Sequence, residues 1–153
     1  MKCDLILALD VPDEAEGMRL LQRLGLDVRW VKIWLLLFTR HGPGLVERVA
    51  ALGYKIFLDL KLHDIPNTVA SAVTSLASLP IDLLTIHASG GAEMMRAAQE
   101  ARTKHRPGLT LLGVTVLTSM DTAGLQEVGV PGTAADQVVR LAHLARISGL
   151  GGL

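Results

Sequence analysis

With 153 residues, half of them apolar, the chain has enough sequence to bury one real core and is expected to form a single domain. Fifteen Lys and Arg balance fifteen Asp and Glu, so no net field draws the protein to nucleic acid or to an anionic membrane, and a small-molecule partner is the expectation. The one cysteine, Cys3, excludes an internal disulfide and fits a reducing cytoplasm, while no apolar stretch approaches the roughly 20 residues of a membrane span and the run after Asp4 is too short for a signal peptide.

In chain order, Leu5 to Leu9 is an apolar run closed by Asp10 and followed by helical spacing from Asp13 to Leu24, which predicts a strand and then a helix. The pattern recurs. Trp30 to Ile33 precedes a helix expected at about Gly44 to Leu52, and Lys55 to Leu60 precedes one starting near Asn67. Leu83 to Ile86 and Leu109 to Val116 read as further strands, with helices at Glu93 to Thr103 and Ala134 to Ile147. Nearly continuous apolar strands alternating with helices predict an α/β fold with a parallel sheet covered by helices.

An open doubly wound sheet and a barrel both fit that alternation. The polar residues favour the barrel, because Asp10, Lys32, Asp59 with Lys61, His87 and Thr118 fall at the C-terminal ends of different strands. An open sheet gathers its site at one switch point instead. A TIM (β/α) barrel needs eight units and about 250 residues, so the expectation is an incomplete barrel of about five βα units over residues 1–153. Its C-terminal units would be missing, with Ser148 to Leu153 reading as a turn into another strand.

The most informative stretch is Phe57 to Thr68. Side chains alternate in a strand, so Asp59 and Lys61 share one face, expected to be the barrel interior. Burying a carboxylate beside an ammonium is tolerable when each offsets the other's desolvation, and Lys32 is placed to extend the array. A structural ion pair is the plainer reading of a lone Asp-x-Lys. Asp64 adds a second carboxylate just past the strand, Pro66 fixes the turn, and Asn67 or Thr68 is expected to cap the next helix. A helix start with free amides suits an anionic ligand, which shifts the weight toward function.

The run Asp59-Leu60-Lys61-Leu62-His63-Asp64-Ile65-Pro66-Asn67-Thr68 resembles the signature of the orotidine 5'-phosphate decarboxylases. The resemblance continues upstream in Ala8-Leu9-Asp10, Val31-Lys32 and Phe38-Thr39, and downstream in His87-Ala88-Ser89-Gly90-Gly91 and Val114 to Ser119. A decarboxylase and aldolase group on the same barrel shares Asp-x-Lys-x-x-Asp but lacks the Ile-Pro-Asn-Thr continuation. The resemblance implies decarboxylation of orotidine 5'-phosphate to uridine 5'-phosphate without cofactor or metal. It implies Lys61 as proton donor within an alternating array of Lys32, Asp59, Lys61 and Asp64. Asp10 is implied to bind a ribose hydroxyl and Thr118 the pyrimidine. Ile65 is placed among the substrate contacts, and Asp64 and Thr68 reach a neighbouring subunit's site, which makes a homodimer the catalytic unit.

Two departures stand out. The family's site-closing loop and its Gly-Arg phosphate grip, near strands six to eight, have no counterpart in the sequence. Trp34 stands where the family usually has Gly and is followed by an unbroken Leu35-Leu36-Leu37-Phe38, so it reads as a core residue, an obstruction beside Lys32 or part of an altered interface. His41, His63, His87 and His143 have no metal-ligand spacing. The competing function is a self-associating module, an impaired barrel that buries its open edges against another copy.

Overall fold

The computed structural model describes residues 3–153 as five parallel strands alternating with helices. The strands are β1 (Ile6–Leu9), β2 (Trp30–Trp34), β3 (Lys55–Leu62), β4 (Leu83–His87) and β5 (Thr110–Val114), hydrogen-bonded in the order β1-β2-β3-β4-β5. Each pairs in parallel with the next. Strand order equal to chain order leaves no switch point, which is the arrangement of a barrel wall rather than of an open doubly wound sheet. The last residues extend the wall: Gly152 bridges Leu112 in parallel, and the Gly113 amide donates to the Gly152 carbonyl at 2.9 Å.

Six α-helices accompany the strands: α1 (Glu14–Leu24), α2 (Leu35–Ala51), α3 (Pro66–Leu76), α4 (Gly91–His105), α5 (Thr122–Glu127) and α6 (Ala134–Ile147). Among the described residues, no helix is long and apolar enough to cross a membrane. Every second strand residue packs outward against the helices. Val31, Ile33, Ile56, Leu58, Leu84 and Ile86 are fully buried, in one cluster with Leu21, Leu45, Val49, Val73, Met94 and Met95 from the helices. This layer is the core, and its removal from water stabilises the fold by roughly 1.5–3 kcal/mol per large apolar side chain.

Three expectations are corrected here. Helix α2 begins at Leu35, directly after β2, rather than at Gly44; the backbone breaks at Gly42 (φ 62°, ψ −160°) and resumes through Pro43. The Gly-Pro pair therefore marks a kink between two helical stretches, the proline fitting a fresh first turn. Helix α3 has Ile65 as its N-cap with no side-chain cap bond, so neither Asn67 nor Thr68 caps it. Pro66 lacks an N–H and suits the first helical position, which moves the start ahead of both. Strand β5 ends at Val114, two residues earlier than expected, and the short α5, capped by Asp121 on the Gly124 amide, was not anticipated.

Candidate active site

The inward faces of the strands line a hollow of about 520 Å³, bounded by Lys32, Phe57, Asp59, Lys61, Thr85 and Thr118 among others. At its centre the Lys61 ammonium donates to Asp59 Oδ2 at 2.8 Å, and Lys32 Nζ lies 3.9 Å from the same oxygen. Asp59 is 4% exposed. A carboxylate so buried is stable only with its oxygens satisfied, and both are, since the Thr85 hydroxyl donates to Oδ1 at 2.9 Å.

The shared face of Asp59 and Lys61 arises from a bulge rather than from a regular pleat. Pairing of β3 with β4 runs Leu58 to Leu84 and then resumes at Leu62 to Ile86, so residues 59–61 stand against Thr85 alone. Lys61 has φ 52°, the one positive φ outside glycine among the described residues. Non-glycine residues occupy that region at a cost, and such strain gathers at functional sites. The bulge frees the Lys61 amide from the ladder, and Thr85 Oγ1 accepts it at 2.9 Å.

Trp34 stands beside Lys32, as one of its expected places allowed. Its half-buried indole lies under the lysines, with Lys32 Nζ 4.0 Å and Lys61 Nζ 5.2 Å from the ring centre. It shares the face of Lys32, two residues along β2, and cation–π attraction holds it there. His63 and His87 lie beyond Lys61 with ring centroids 5.1 Å apart. Burial first, then His63 and Lys61, lowers the His87 pKa below the ordinary histidine value.

The expected site residues thus divide. Lys32, Asp59 and Lys61 come together, and Thr118 borders the same hollow. Asp10 is exposed at the end of β1. Asp64, Ile65 and Thr68 are exposed beyond β3, and Asp64 Oδ1 accepts the Ile65 amide at 2.7 Å. Among the described residues no ion pair joins Asp64 to the lysines, so the four-member array is three members within this chain. Sequence reasoning missed Thr85, a β-branched residue in an apolar strand; its signal was a hydroxyl one strand over from Asp59.

The sequence pattern of the orotidine 5'-phosphate decarboxylase / HUMPS family matches residues 4–153. An orotidine 5'-phosphate decarboxylase of Opitutus terrae is 58% identical over the whole chain and that of Nitrosococcus oceani 49% identical over 99% of it. The chain spans about two thirds of these relatives, 66% of each. The crystal structure of orotidine 5'-phosphate decarboxylase from Lactobacillus acidophilus superposes with a TM-score of 0.90 at 38% identity, over 97% of this chain and 69% of that one.

Proposed function

Since the chain belongs to the orotidine 5'-phosphate decarboxylase / HUMPS family, we propose that its site converts orotidine 5'-phosphate to uridine 5'-phosphate without a cofactor. The observation that carries this reading is the Lys61–Asp59 ion pair at 2.8 Å, with Lys32 on the same carboxylate oxygen, facing the hollow. Loss of carbon dioxide leaves an electron pair in the plane of the pyrimidine, where the ring's π system cannot take it up. A fixed ammonium stabilises that developing charge and then supplies the proton, so Lys61 is the acid. Asp59 lies beside the departing carboxylate and holds Lys61 in place. Asp10 binds a ribose hydroxyl and Thr118 the pyrimidine edge.

Ile65 contacts the substrate, and Asp64 and Thr68 serve the site of a second copy. Supporting this, Ile65 is 65% exposed, and Leu35 and Leu36, at the start of the helix after β2, are 52% and 51% exposed. Burial of such apolar residues favours association. Light scattering at micromolar concentration is expected to give at least twice the mass of the chain, persisting at raised salt; a monomer contradicts the shared site.

Domain 1–153 supplies the chemical centre, and the further barrel units that its relatives carry hold the phosphate. Remote phosphate contacts support the closed, reactive geometry, so they raise turnover as well as affinity. Ultraviolet absorbance of orotidine 5'-phosphate should change little with the chain alone. It should change steadily once the chain is joined to the remaining third of the Opitutus terrae relative. In that completed barrel Lys61→Ala is expected to lower turnover by at least about 10²–10⁴-fold, the worth of a positioned acid. Near-normal turnover by the variant contradicts the assignment.

A further inference from the structure

At the bulge in β3, one side chain answers two demands. The Lys61 amide, turned off the ladder by its positive φ, needs an acceptor, and Asp59 Oδ1 needs a donor. Thr85 Oγ1 meets both at 2.9 Å. An amide only donates, so the hydroxyl accepts from Lys61 and is left to direct its own proton at Asp59. Thr85 is 5% exposed, and its neighbours Leu84 and Ile86 are locked in the core, which fixes the hydroxyl against the bulge. With Oδ1 held, Oδ2 faces Lys61 Nζ at 2.8 Å and Lys32 Nζ at 3.9 Å.

We propose that Thr85 is a positioning residue: its hydroxyl clamps the Lys61 backbone and the Asp59 carboxylate together and so sets where the Lys61 ammonium stands. The proposal rests on the decarboxylase reading of that pair. Valine copies the shape of threonine but makes neither bond, whereas serine keeps the hydroxyl. Thr85→Val should therefore release the pair while leaving the surrounding core filled, and Thr85→Ser should preserve it.

The test compares both variants with the parent chain by ¹H–¹⁵N spectroscopy and, in the completed barrel, by steady-state turnover. Thr85→Val is expected to speed exchange of the Lys61 amide by roughly tenfold or more and to move or broaden the Lys61 Nζ signal. It should lower kcat by about 10–100-fold, as a small misplacement of a reacting group does, with KM little changed. Thr85→Ser should restore the spectra and most of kcat. Unchanged Lys61 signals in Thr85→Val, an unchanged kcat, or a serine variant that behaves like valine overturns the proposal. A completed barrel that has Thr85 and turns nothing over refutes the decarboxylase reading alone, and the Lys61 spectra then decide the positioning role.

Discussion

The two faces of β3 share a backbone and almost nothing else. Outward, Ile56, Leu58 and Leu60 are buried among helix side chains; inward, Phe57, Asp59 and Lys61 border an open hollow. The outward face is satisfied by shape and apolar area alone, which many residues supply. The inward face is satisfied by three hydrogen-bonded or ionic partners at fixed places, which few residues supply. One strand therefore separates stability from chemistry between its two faces, with the bulge at residues 59–61 setting the inward one. The rims differ likewise. At the N-terminal rim Asp82 accepts the Ile56 amide at 2.9 Å and Lys55 lies over Trp30, contacts that fasten neighbouring strands. At the C-terminal rim the equivalent Lys32 lies over Trp34 and also meets Asp59.

The largest effect that separates the faces is on stability. Leu58→Ala is expected to cost about 2–5 kcal/mol, seen as a lowered urea midpoint with an unchanged m-value. Phe57→Ala, on the half-open inward face, should cost clearly less. Equal losses from the two substitutions break the division.

A smaller effect comes from pH. His87 ends the inward face of β4, and its folded pKa is depressed below the ordinary 6.5. The unfolded chain then binds more protons than the fold, so the stability contributed is full above about pH 6.5 and lost as pH falls through the depressed value. Urea midpoints should decline as pH falls below about 6.5, ahead of the ordinary carboxylates, and His87→Gln should flatten that decline. The same slope in the variant assigns the titration elsewhere.

Much of this was legible in the sequence because parallel strands buried on the outward side are apolar runs. All five strands stand out, although Lys32 lies in the middle of β2 and Thr118 four residues past the end of β5 rather than at strand ends. The C-terminal run Ser148 to Leu153, read as a turn into another strand, does begin to pair with β5 through Gly152. The misses share a cause. Gly42 and Pro43 punctuate a helix as readily as they begin one, and only packing decides between the two. Period two put Lys61 beside Asp59, but the bulge there leaves the Lys61 amide to the Thr85 hydroxyl, a contact 24 residues away that no local pattern encodes. The place of Trp34 depends on two lysines from different strands, which no single segment displays.

On the decarboxylase reading a pyrimidine nucleotide meets the chain at the C-terminal rim of the strands. Titrating the ¹⁵N-labelled chain with uridine 5'-phosphate to millimolar concentration tests it directly, residue by residue. Shifts are expected to concentrate at Lys32, Asp59, Lys61, Thr85 and Thr118, with the N-terminal rim at Trp30, Lys55 and Asp82 unmoved. Shifts centred on that N-terminal rim, or none anywhere, would contradict it.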